Sequence, residues 1–196
     1  MTARHSGRRP GDSGTRDAIL TAARKLFAER GFDRTSMRAV AFEAGVDPAL
    51  VSHFHGSKQQ LFVAATDLPF DPDAVLPHLL AGDPGGAGER LARFIVNLLE
   101  TEEVRGRVIG MVRAAASEED AARLVRERVT RGLLLPLAER LGADMPDPRA
   151  ALVGSQVVGM VMARYVVRIE PLASQDADTI VRAVAPVFQH YLSDSL

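Results

Sequence analysis

Residues 35–58 read Thr-Ser-Met-Arg-Ala-Val-Ala-Phe-Glu-Ala-Gly-Val-Asp-Pro-Ala-Leu-Val-Ser-His-Phe-His-Gly-Ser-Lys, and their punctuation decides the fold. Ser36 is a good N-cap, because a serine oxygen accepts from an otherwise orphaned first-turn amide. The helix it opens carries Met37, Val40, Ala41 and Ala44 on one side and stops at Gly45. Asp47 caps a second short helix, with Pro48 at its first position, where the missing N–H costs least. That helix reaches about Phe54 before Gly56 breaks it. Ser57-Lys58-Gln59-Gln60 then reads as a capping box that opens another helix carrying Leu61, Phe62 and Ala65. Two short helices across Gly45-Val46-Asp47 have the spacing of a helix-turn-helix, with the glycine permitting the turn and Val46 plugging the space between the helices. An ordinary corner in a helical bundle has similar punctuation.

Upstream, Ala18, Ile19, Ala22, Ala23, Leu26 and Phe27 form one apolar stripe on a supporting helix from about Thr15 to Arg30. Residues 1–14, with Arg4, Arg8 and Arg9, read as a flexible basic arm, either solvated or following a DNA groove. Downstream, residues 82–88 are the clearest loop. Helices are expected at about Glu89–Thr101, Val104–Ala116, Ser117–Leu141 (kinked by Pro136), Asp147–Ile169 and Asp176–Ser193. The reading is all-α with nine or ten helices and no sheet: an arm over 1–14, a three-helix head over 15–65 and a helical body over 66–196.

The chain of 196 residues has 46% apolar and 25% charged side chains, the composition of a folded globular protein. With no cysteine, a disulfide scaffold, a thiol nucleophile and Cys-ligated metal are excluded. His53 and His55 are two apart on a helix and do not share a face, so no metal site is expected there. No nucleophile elbow, P-loop or dinucleotide fingerprint appears, so neither an enzyme nor a cofactor is expected. The apolar run Ala150–Ala163 is too short to cross a bilayer, and the chain reads as cytoplasmic. The net charge of -1 hides a division: residues 1–62 hold eight Arg and two Lys against six acids, net +4, and the rest is net -5. The exposed positions of the second short helix, Pro48, Ala49, Ser52 and His53, are small or polar and suit close approach to base edges and phosphates.

The wider string is more specific. Ala18-Ile19-Leu20, Ala22-Ala23, Leu26-Phe27, Gly31-Phe32, Thr35-Ser36-Met37, Ala41, Ala44-Gly45-Val46, His53-Phe54, Gly56-Ser57-Lys58 and Leu61-Phe62 closely resemble the DNA-binding domain of the TetR family of transcriptional regulators. The resemblance covers about residues 15–65. It implies a ligand-responsive homodimeric repressor on a palindromic operator, with double-stranded DNA, a small-molecule effector and a second copy as partners, and no membrane. Thr35 or Ser36 would then bind a backbone phosphate, and Arg38 a phosphate or a guanine edge. Residues 48–53, including Leu50, would form the recognition helix, and Lys58 would clamp a phosphate. Two positions depart from the family pattern: Ser52, where many members carry tyrosine, and His55, where members usually have a core aromatic.

By the same resemblance, the small-residue helix after Arg149 and the last helix would form a four-helix bundle with their copies. Its contacts would be Gln156, Met160, Ala163, Val167, Val184, Val187, Phe188 and Tyr191. Phe94, Leu98, Met111, Val112, Leu133 and Tyr165 either line an apolar ligand cavity or are plain core. The rival function is a helical protein-interaction module whose helix-turn-helix is weakened at Ser52 and His55.

Overall fold

The structure is a computed structural model that describes residues 10–65 and 69–194. Ten helices and no strand occur among the described residues, as the all-α reading expects. They fall into two compact units, divided after Asp67.

The first unit holds α1 (Pro10–Arg30), α2 (Met37–Ala44), α3 (Pro48–His55) and α4 (Lys58–Ala65). Helix α1 begins at Pro10 rather than about Thr15, so residues 10–14 are not part of an arm. Proline is well placed to start a helix, and no glycine-induced break follows at Gly14. Arg4, Arg8 and Arg9 lie outside the described residues. The α1 stripe is inside as expected: Ile19, Ala22, Ala23, Leu26 and Phe27 are buried with Val40, Ala41, Val51, Leu61 and Phe62. Phe27 and Phe62 meet edge-to-face at 4.9 Å, and Phe32 meets Phe62 the same way at 5.2 Å. These rings fasten α4 and the α1–α2 connection to α1. The turn residue Gly45 has φ +67°, which only glycine adopts without strain, and its amide donates to Phe42.

The second unit contains α5 (Pro72–Leu80), α6 (Ala87–Glu100), α7 (Glu102–Ala115), α8 (residues 119–140), α9 (Pro146–Val167) and α10 (Ala177–Ser193). Helix α8 does not kink at Pro136 in the expected way. Its turns widen over Val125–Leu134, just before the proline, and ordinary α geometry resumes at Leu135. Widening relieves the clash of the proline ring with the preceding turn and the loss of its N–H. Helix α9 is 22 residues long, enough by length and composition to cross a bilayer, which the apolar run alone conceals. Its Arg149, only 1% exposed, donates to the Tyr191 and Asp194 carbonyls at 2.9 and 2.7 Å and pairs with Asp144. One guanidinium thus ties the start of α9 to the end of α10. Helix α6 approaches the backbone of α10 closely at Gly88, whose amide donates to the Gln189 side chain at 2.7 Å.

Candidate nucleic-acid interface

The caps of α2 and α3 are made as their sequence suggests. Ser36 Oγ accepts from the Ala39 amide at 3.1 Å, and Asp47 Oδ1 from the Ala49 amide at 2.7 Å. Ser57 and Gln60 cap α4 reciprocally, at 3.1 and 3.0 Å. Helix α3 turns Val51 and His55 into the core, and this fixes its outer side. Pro48, Ala49, Leu50, Ser52 and His53 are all exposed there. Ser36 and Arg38 are exposed at the start of α2.

Thr35 is a correction. It is 1% exposed, and its hydroxyl is within hydrogen-bonding reach of the Gly31 and Leu26 carbonyls, at 2.8 and 3.1 Å. It closes the end of α1 and has no side-chain atom free for a phosphate. Of the Thr35/Ser36 pair, the exposed Ser36 keeps that possibility.

Lys58 is half-buried in the first turn of α4. Its ammonium sits 4.2 Å from the centre of the Phe32 ring and donates to the Asp33 carbonyl at 3.3 Å. Phe32 is therefore a support that sequence reasoning missed as such: it holds the cation by its negative ring face and restricts a flexible stem. Its place in the Gly31-Phe32 pair was the available signal. Phe42 was also missed, standing 89% exposed one turn after Arg38. Its position outside the 37/40/41/44 stripe marks it as outward-facing.

His55 occupies an aromatic-sized place in the core at 6% exposure, and its Nε2 has no hydrogen-bond partner among the described residues. Burial first, and the Arg16 charge second, push its pKa below the usual histidine value. The neutral ring is favoured in the fold, while the unfolded chain takes up a proton near pH 6.5. Stability of the head is then present above pH 6.5 and declines as pH falls below it, at no more than about 1.4 kcal/mol per pH unit. Hydrogen exchange of the α3 amides between pH 7.5 and 5.5 checks this. His55→Phe is expected to slow α3 opening at both pH values and to flatten the dependence.

In the second unit, an apolar cavity of about 80 Å³ is lined by Phe94, Leu98, Met111 and Leu133, together with Phe70 and other aliphatic side chains. Val112 and Tyr165, the other two expected lining residues, lie outside it. Tyr165 instead lies beside the guanidinium groups of Arg105 and Arg164, 5.8 and 5.4 Å from its ring centre. Arg164 donates to the Leu172 and Gln175 carbonyls and is engaged within the fold.

The expected contact residues of α9 and α10 divide. Met160 and Phe188 are buried at 9% and 1% and belong to this unit's own core. Val184 and Tyr191 are half-buried against that core. Gln156 is exposed, Ala163 is half-buried, and Val167 and Val187 are 62% and 36% exposed. Val158 and Ile169, outside the expected set, are also exposed apolar residues, at 40% and 51%. The helical period placed some apolar residues correctly, but α9 is apolar on nearly all sides, so periodicity does not separate core from surface.

A compact three-helix support, a glycine turn and an outward-facing α3, with the cationic Arg38 and Lys58 on α2 and α4, have the form of a DNA-binding regulator of the helix-turn-helix class. Residues 19–65 match the bacterial regulatory proteins of the tetR family, and residues 86–192 match the tetracyclin repressor-like C-terminal domain. The chain belongs to the TetR family of transcriptional regulators. A TetR-family regulator from Streptomyces coelicolor A3 with a crystal structure is 40% identical, over 95% of this chain and 99% of that one, at a TM-score of 0.66. The HTH-type transcriptional regulator BetI of Agrobacterium fabrum is 27% identical over 177 residues, 85% of this chain and 84% of that protein. BetI of Rhizobium meliloti is 41% identical over 49 residues, a stretch spanning 24% of that relative. NalD, the secondary repressor of the MexAB-OprM multidrug efflux pump in Pseudomonas aeruginosa, shares the fold at 21% identity and TM-score 0.74, over 96% of this chain and 100% of that one.

Proposed function

We propose that the protein is a cytoplasmic homodimeric repressor that binds a palindromic operator and releases it when an apolar effector enters the second unit. The observation that carries the DNA part is the outward side of α3, bracketed by exposed Arg38 and by Lys58 on its Phe32 platform. Ser36, Arg38 and Lys58 hold phosphates in this reading, and residues 48–53 meet base edges. A two-fold pair of recognition helices spans successive major grooves about 34 Å apart, so the apolar outer side of α9 and α10 meets its copy. Val158, Val167 and Val187 are the exposed residues that such a contact covers.

The cavity supports an uncharged, apolar effector, because every side chain lining it is apolar. A charged ligand would leave water without a partner there. Release of DNA requires that the effector bind the DNA-incompetent arrangement more tightly, since equal affinity shifts nothing.

Footprinting on DNA adjoining the protein's own gene, with affinity measured against salt, tests the reading. A symmetric protected site and a steep salt dependence are expected. A protein-interaction module would give neither. Lys58→Ala is expected to weaken binding to all sequences alike and to flatten the salt slope by about one unit for each copy. An unchanged slope removes Lys58 from the phosphate contacts.

A further inference from the structure

We infer that α3 reads its half-site chiefly by apolar contact of Pro48, Ala49 and Leu50 with the 5-methyl groups of thymines; this rests on the DNA-binding reading above. The outward side of α3 carries five exposed residues, and none is Arg, Lys, Asn or Gln. Those are the side chains whose paired groups match the edges of guanine and adenine in the major groove. Three of the five are apolar, and Leu50 is held 38% exposed. The apolar feature that the major groove presents is the thymine methyl, at a place distinct for each base pair.

The amino end of α3 offers no alternative. The Asp47 carboxylate accepts from the Ala49 amide and puts a negative charge where a phosphate would otherwise approach. Cationic anchoring is left to neighbouring helices, through Arg38 on α2 and Lys58 on α4. With the backbone held from both flanks, α3 is committed to base edges. Ser52 and His53 add single hydrogen bonds at its later turn. The expected half-site has thymines under the first turn of α3 and few bases read by paired hydrogen bonds.

The test uses the full-length protein and duplexes enriched from random DNA. Deoxyuridine, which differs from thymidine only by the missing methyl, replaces each thymine of the enriched site in turn. Binding is expected to weaken about fourfold for each contacted methyl, or about fifteenfold when both half-sites are changed, the worth of one buried methyl being about 0.8 kcal/mol. Replacing a contacted T·A pair by C·G is expected to weaken binding, and 5-methylcytosine at that position to restore part of it. Leu50→Ala, at an exposed site that leaves the core intact, is expected to lose the preference for thymine over uracil at one position in each half-site. If every uracil duplex binds within twofold of its parent, the inference is overturned. Full discrimination at every position by Leu50→Ala overturns the assignment of a methyl contact to Leu50, and full discrimination by Pro48→Ser, Ala49→Ser and Leu50→Ala alike overturns the assignment to this helix. If no sequence is enriched, the DNA-binding reading itself fails, a result separate from either of these.

Discussion

Replacing Arg149 by Met is expected to destabilise the second unit by about 3 kcal/mol, a large share of the total stability of a domain. The methionine fills much of the same volume, so the effect reports the guanidinium itself. Without it, the Tyr191 and Asp194 carbonyls at the end of α10 lose their donor in a place where Arg149 is 1% exposed. Arg149→Lys is expected to fall between, because an ammonium cannot reach three directions with a rigid fork. Asp144→Ala is expected to cost far less, since the Asp144 side chain is 69% exposed and the pair is screened on that side. Urea denaturation of the full chain measures all three. Equal losses for Arg149→Met and Asp144→Ala would show that the ion pair, rather than the carbonyl contacts, carries the effect. Because Arg149 joins α9 to α10, Arg149→Met is also expected to weaken the proposed dimer.

The second large effect is expected at Gly88, with a sign opposite to helix propensity. Alanine normally stabilises a helix interior by up to about 1 kcal/mol over glycine. At Gly88, a Cβ would lie 2.5 Å from the Ala185 carbonyl oxygen and 2.5 Å from the Gln189 amide nitrogen. Both are backbone atoms of α10 and cannot swing aside. Gly88→Ala must separate α6 from α10 and strain the Gly88–Gln189 hydrogen bond, at about 2–3 kcal/mol. Gly106 in α7 is the control, because nothing lies within 4 Å of the Cβ it would acquire. Gly106→Ala is expected to raise the denaturation midpoint while Gly88→Ala lowers it. A stabilised Gly88→Ala would mean that the α10 backbone lies farther from Gly88 than these 2.5 Å approaches.

The legible parts of this protein are those set by short-range chemistry. Asp47-Pro48 could be read as a cap and first turn, and Ser57 to Gln60 as a capping box, because a cap joins residues two or three apart. Gly45 announced a turn because few other residues adopt its φ. The outward side of α3 followed from its period. Thr35 misled because threonine before a helix cap suits a phosphate equally well in sequence. One acceptor, the Gly31 carbonyl, is four residues back, and the other, the Leu26 carbonyl, is nine back and reached only because the α1–α2 connection folds onto the end of α1. Met160 misled because α9 is apolar nearly all round and so has no periodic signal for which side is covered. Phe188 misled because the apolar face of α10 is packed into this unit's own core, where Phe188 is 1% exposed.

By itself, then, the sequence determined that the regular structure of the described residues is helix without strand, where the head turns at Gly45, and which side of α3 faces outward. Those properties depend on propensity, capping and period, which act within a few residues. Only the tertiary structure decided that Thr35 is closed off, that Lys58 rests on Phe32, that the His55 Nε2 is buried with no hydrogen-bond partner among the described residues, and that Arg149 and Gly88 hold α9 and α6 to α10. Apart from the Thr35–Gly31 bond, the contacts among these join residues from 5 to about 100 positions apart, so they depend on which surfaces meet once the core has formed.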